Sequence, residues 1–421
     1  MLQVLRQRNF ALLWVGGLIS MVGDWVLFVG LPFEVYRQTG STLATGGMIL
    51  ALLIPRIAFG SVAGVYVDRW DRRRLMIAVN LLLAAFLVPL LAVETMGLWI
   101  VYLVLIVEST LEQLFTPAEV ALLPNLLEGG PEQLVPANAL SGVNRHLARL
   151  IGPLVGGVVV AAGGLTAVAV VDVASFLVAA GLIAAIRYVA PPRPPHPALE
   201  EEAVSAWQRL IGEWREGLRV VWHEPVLRAL LVFFAITSIG EGLTATLFVP
   251  WVTDALHSDS AGYGAVLSTQ AMGGLAGALV IGRFGARVNP LRLLIVGALT
   301  FGAIDLVLFT YPIVYPVLAP ALVGMVIVGV PGAAMGAGIT TLQQTQAADR
   351  HRGRVIGAIG AMAGVSSLIG AILAGLLGEV LPVVLLLIVQ GSGYVIGGVL
   401  VALMTRPRSA RHNENPVEDA R

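Results

Sequence analysis

The sequence predicts an all-α integral membrane protein, with twelve transmembrane helices arranged as two pseudo-symmetric six-helix bundles. Its composition, the spacing of its apolar runs and the placement of its arginines carry that reading. Of 421 residues, 57% are hydrophobic and 12% are charged, against roughly 25% charged in an average soluble domain. A water-soluble fold of this size has too little interior to hide so much apolar surface. Lipid must be the solvent.

A helix needs about 20 apolar residues to cross the hydrocarbon core. Runs of that length fall at 10–35, 43–66, 75–95, 98–120, 139–162 and 165–187. A second set falls at 227–251, 262–284, 291–311, 316–340, 355–379 and 382–405. The first run follows Arg6 and Arg8 and outlasts the apolar core of a cleaved signal, so it reads as a span that stays. The chain divides into an N-terminal bundle (1–190), a linker (191–225), a C-terminal bundle (226–406) and a disordered tail (407–421).

The linker opens with Pro191, Pro192, Pro194, Pro195 and Pro197, an extended segment. Trp207, Leu210, Ile211, Trp214, Leu218, Val221 and Trp222 then share one helical face. Charged residues lie between them, which predicts an amphipathic helix on the membrane surface. The plainer alternative is a simple connector.

Cytoplasmic loops retain basic residues, and all 26 basic residues here are arginines. Arg6, Arg8, Arg69, Arg72, Arg73, Arg74, Arg145 and Arg149 fall on one side of the predicted spans, with the linker, 283–292, 350–354 and the tail. Arg37 stands alone on the other side, and Arg56 sits inside the second span. Both termini are therefore expected in the cytoplasm.

Several chemistries are excluded. Without cysteine there are no disulfides or thiolate metal sites, and without lysine there is no phosphate loop to couple ATP directly. The six histidines lack metal spacing. We expect no metal, cofactor or nucleic acid partner, and no enzyme activity. The 48 glycines gather within the spans, where small residues permit the close helix contact that holds a bundle together in lipid.

Two sets of six spans suggest parallel repeats with a site between them. The segments after spans two and eight support this: GVYVDRWDRRRL at 64–75 and ALVIGRFGAR at 278–287 share glycine and arginine spacing. At Gly64, Asp68, Arg69, Arg72 and Arg73 the chain resembles the major facilitator superfamily, whose signature lies in this loop; Asp71 replaces the usual glycine. Asp68 at a helix end can pair with nearby arginines and with a helix N-terminus, so the cluster would act as a conformational switch. Gly23 and Asp24, the stretch from Phe115 to Pro124, 137–140 and the run from Gln343 to Val355 are similar to the bacterial branch of enterobactin and macrolide exporters. Gly152, Pro153, Gly156 and Gly157 resemble the antiporter motif of drug exporters. Span four lacks the basic residue that many drug–proton antiporters place there.

Charges inside a membrane are costly, so acids within spans are candidate functional groups. Asp24, near the middle of span one, suits a proton or a cationic substrate; its structural alternative is a hydrogen bond to span five or eleven. Glu108 and Glu112 lie at i and i+4 on one face of span four. Two like charges so close do not both ionise cheaply, which suits a proton carrier; the alternative is pairing with Arg145 or Arg149. Glu241 lies between Gly240 and Gly242. Asp172 and Asp305 read as lone acids making interhelical hydrogen bonds. Arg56, beside Pro55, is expected to pair with an acid, with anion binding as its alternative. Trp14, Trp25, Phe28 and Phe248 are candidates for a lipophilic cavity, and Trp251 reads as an interfacial anchor.

The resemblance implies export, and the intramembrane acids imply protons. The expected protein is a monomeric secondary transporter exporting lipophilic or amphiphilic small molecules, drug-like ones among them, against proton entry by alternating access. Two alternatives stay open: a siderophore or lysophospholipid carrier of the same fold, and a non-transporting membrane sensor.

Overall fold

The computed structural model describes residues 2–59, 70–187, 212, 214–348 and 351–406. Eleven helices among them are long and apolar enough to cross a bilayer. One of these, Leu134–Ala184, runs for 51 residues but breaks at Gly163 and Gly164, where the backbone leaves helical geometry. Gly164 has φ 57°, a left-handed conformation that costs a residue without Cβ little. The break yields two crossings, 134–162 and 165–184, and brings the described crossings to twelve.

In chain order, span 1 is Arg8–Thr39, span 2 Thr42–Phe59, span 3 Arg72–Met96 and span 4 Trp99–Leu126. Span 5 is 134–162 and span 6 is 165–184. Span 7 is Pro225–Ala255, span 8 Ser260–Phe284, span 9 Pro290–Ile313, span 10 Leu318–Gln346, span 11 Arg352–Leu377 and span 12 Val383–Met404. Spans 4 and 5 start several residues away from, or run beyond, their apolar runs, because polar flanks continue the helix past the lipid-facing stretch.

Local chemistry sets the ends. Gly40, at φ 63°, closes span 1 by giving its N–H to the Tyr36 carbonyl. Asp71, standing where the signature carries glycine, caps span 3: its carboxylate accepts the Arg74 N–H at 2.8 Å. Asn289 does the same for span 9, the repeat counterpart, accepting the Leu291 N–H at 2.8 Å.

Two six-helix bundles result. Span 1 lies along the span 5–6 helix, and spans 3 and 4 complete the first bundle with span 2. In the second, span 7 packs on spans 11 and 12, span 8 on span 10, and span 9 on spans 10 and 12. The bundles meet chiefly through span 2 against span 11 and the span 5–6 helix against span 8.

One expectation is corrected. Trp251 is no interfacial anchor: it is fully buried, stacked on Phe248 at 5.5 Å and edge-on to Phe309 at 5.2 Å. It begins the widened last turn of span 7, at 251–255. The part of the linker helix that is described docks on protein as well as facing outward. Glu216 accepts from Arg354 at 2.6 Å and lies 3.3 Å from His351, while Val221 is buried and Trp222 stays exposed. Gly64, Asp68 and Arg69 of the signature, the linker prolines, Trp207 to Ile211 and the tail lie outside the described residues.

Candidate transport site

The inner faces of spans 1 to 6 enclose a cavity of about 540 Å³. Its wall combines Trp25, Phe28, Phe115 and Phe176 with the acids Asp24, Glu108, Glu112 and Glu119 and the arginines Arg56, Arg145 and Arg149. An apolar body with a few convergent polar groups is the usual form of a small-molecule site.

Spans 1, 4 and 6 bring three carboxylates together. One oxygen each from Asp24, Glu108 and Asp172 lies within 4.8 Å of the others. Asp172 stands as a lone acid in the sequence, and the structure makes it a member of the site. Gly23 is the reason the helices come so close: a Cβ there would stand 2.4 Å from Asp172 Oδ1 and 2.2 Å from Ser175 Oγ. Asp172 is completely buried, and its Oδ1 accepts from Ser175 Oγ at 3.1 Å. Its Oδ2, like Glu108 Oε2, has no hydrogen-bond partner among the described residues. No ion pair there joins any of the three. Three ionised carboxylates at this spacing, away from water, repel strongly. Such a cluster holds protons or a hard cation between its oxygens.

Glu112, one turn beyond Glu108, points to a different partner. Its Oε2 lies 3.5 Å from Arg56 Nη2, with both side chains more than half exposed. It therefore pairs with span 2 and not with Arg145 or Arg149, and Asp24 meets spans 4 and 6 in place of span 5 or 11. Arg149 instead donates to Gln270 Oε1 at 3.3 Å, reaching across to the second bundle.

The antiporter-like motif forms a three-way contact. Gly152 and Gly156 face span 1: a Cβ on Gly152 would lie 2.3 Å from Trp25 Cβ. Gly157 faces the other bundle, where a Cβ would come within 2.4 Å of the Ser260 carbonyl, and Ser260 Oγ donates to the Gly157 carbonyl at 3.0 Å. Two further contacts join the bundles at the same face, the one opposite Arg8. The Tyr36 hydroxyl donates to Asp254, and Glu379 Oε1 accepts from Leu43 N at 3.0 Å and Ser41 Oγ at 2.7 Å. These bonds hold the Glu379 carboxyl below its usual range. Near the Arg8 face, Arg72 donates to the Ala121 carbonyl at 2.9 Å and Arg73 to the Ile183 carbonyl at 3.2 Å. Those arginines cap the ends of spans 4 and 6, where the helix dipole favours cations.

In the second bundle Glu241 is exposed on span 7 and accepts a hydrogen bond from the Tyr394 hydroxyl. Asp305 is buried and accepts from Gln390 Nε2 at 3.1 Å.

A two-bundle, twelve-span body around an acid-lined cavity defines a major facilitator transporter. Comparison with known proteins agrees. Residues 1–420 match the model of the transmembrane secretion effectors, and the chain belongs to that major facilitator family. The chain is similar to the multidrug efflux pump Tap of Mycobacterium tuberculosis, with 30% identity over 85% of this chain and 84% of the relative. It is also similar to macrolide efflux protein A of Streptococcus pyogenes, 28% identical over 53% of this chain and 54% of that protein. Among solved structures, the nucleoside transporter NupG superposes with a TM-score of 0.75 at 11% identity, covering 94% of this chain and all of the other.

Proposed function

We propose that the protein is a proton-coupled exporter of amphiphilic small molecules, working as a monomer in a bacterial inner membrane with both termini in the cytoplasm. One observation carries this reading. Asp24 and Glu108 line a cavity with aromatic rings in its wall and room for a drug-sized molecule, Asp172 is buried against them, and no ion pair among the described residues joins any of the three.

Described contacts between the bundles at the face opposite Arg8 support a state closed to the outside that receives cargo from the cytoplasm. Cargo with a positive group displaces protons from Asp24, Glu108 and Asp172. Bundles 1–190 and 226–406 then rock about the linker, and protons entering from outside release the cargo. A ligand shifts such an equilibrium only by its differential affinity for the two states, and a carboxylate cluster that is either protonated or neutralised by cargo supplies one. Arg56 serves by holding Glu112 outside that exchange.

Inside-out vesicles test this with a panel of fluorescent dyes and antibiotics. Uptake of one or more of them should rise when the proton gradient is imposed and collapse with an uncoupler. Uptake that ignores the uncoupler overturns proton coupling.

A further inference from the structure

The two bundles place their chemistry at matching depths. Asp24 lies sixteen residues after the start of span 1 at Arg8, and Glu241 sixteen after the start of span 7 at Pro225. A glycine precedes each acid and lets its helix touch the last span of its own bundle. Gly23 meets Asp172, and a Cβ on Gly240 would lie 2.8 Å from Gln390 Cα. Asp172 and Gln390 are matched in turn, seven residues after 165 and after Val383. The repeat has kept an acid on the first helix of each bundle and a polar partner on the last.

Around Glu241 the partners differ in kind. Tyr394 donates its hydroxyl to Glu241, and one turn away on span 12 Gln390 donates to Asp305. Gln390 is 4% exposed, yet its Oε1 has no hydrogen-bond partner among the described residues. Among the described residues, the charged groups that act on this network through space are Asp305 from span 9 and, without an ion pair to Glu241, Arg149 from span 5. Arg149 rides on the first bundle, so its distance from Glu241 changes whenever the bundles move. An ionised carboxylate with no paired cation inside a membrane is costly. A proton is the smallest group that restores neutrality.

We infer that the second bundle holds its own proton-carrying carboxylate, Glu241, capped by the Tyr394 hydroxyl beside the Asp305–Gln390 pair, so that each bundle has a proton site. The inference rests on the proton-exchange reading of the first bundle. In the step itself the carboxylate takes one proton from water reaching the site, becoming a neutral acid. It returns that proton to water after the bundles have moved, and only the O–H bond forms and breaks. Tyr394 is a positioning residue, since its hydroxyl fixes the rotamer of the carboxyl group.

Infrared difference spectra of the full-length purified protein, recorded across a pH titration, read the C=O stretch of protonated carboxyl groups without any cargo. Glu241→Gln should remove one component of the titrating band, and Glu241→Asp should return one. Tyr394→Phe should shift that same component in frequency, an effect that a merely structural role would not give. An unchanged band in Glu241→Gln overturns the second site. If Asp24→Asn still removes a component in that case, the first-bundle reading stands alone; if neither substitution changes the band, both readings fall.

Discussion

The two bundles solve one problem in different ways. Both set an acid sixteen residues into their first helix, behind a glycine that seats it on the last helix. The first bundle then adds two more carboxylates close by and encloses the group, while the second adds a phenol and an amide, the amide bonded to Asp305, and leaves Glu241 exposed. Repeats of one ancestral pattern thus become a site dense in negative charge and a site of hydrogen bonds. Part of the difference lies at one matched position, where Asp172 on span 6 corresponds to Gln390 on span 12.

The largest effect should come from removing the charge that opens onto the cavity. Asp24→Asn is expected to abolish pH-gradient-driven efflux from cells or vesicles while leaving the protein folded and present in the membrane. Asp172→Asn keeps the shape and removes one of three repelling charges. It should lower gradient-driven efflux by about 5- to 150-fold, the range that corresponds to 1–3 kcal/mol of coupling. Equal efflux in wild type and Asp172→Asn would reduce the buried acid to a structural hydrogen-bond partner of Ser175. The converse change, Gln390→Glu, sets two acids side by side and deprives Asp305 of its amide donor. It should destabilise the second bundle by about 1–3 kcal/mol, read as a lower melting temperature in detergent.

The sequence made much of the scaffold legible. Apolar run length locates the described crossings, with ends that shift by up to several residues, since the cost of exposing backbone in lipid leaves the chain few other choices. Asp24 and Glu108 were visible as charges where charges are expensive. Asp172 was not visible as their partner, because it lies far along the chain and its approach depends on the rotation of span 6 against span 1. A signal was present: Gly23 beside Asp24 and Gly240 beside Glu241, at the same register in two helices, mark where close contact was kept. Trp251 differs from its expected place because a tryptophan near a predicted helix end resembles an anchor in sequence alone. Only the wider turn at 251–255 shows it folding inward onto Phe248 and Phe309.

Smaller effects should appear where the bundles touch. Gly157→Ala would push a methyl against the Ser260 carbonyl and cost about 1–3 kcal/mol of that contact. Labelling of a cysteine placed in the cavity should then become faster from the outside. The smallest effect concerns Glu379. Its carboxyl is held below its ordinary value by the Leu43 amide and the Ser41 and Thr42 hydroxyls, so the contact is supported at any pH above the ordinary carboxylate range. Support is lost only as pH falls through the lowered value, well into acid. Between pH 6 and 8 the outer contact should therefore be insensitive to pH, in limits set by the ordinary value of about 4.3. Glu379→Gln should loosen it modestly across that whole window.

Proton release on cargo binding addresses the central claim most directly. A cargo found in the vesicle panel is added to purified protein in weakly buffered detergent solution, and the pH change is followed with an indicator dye. Wild type should release protons as cargo binds, and Asp24→Asn should bind without that release. Equal release from both proteins, or tight binding by wild type with no release at all, would contradict the account.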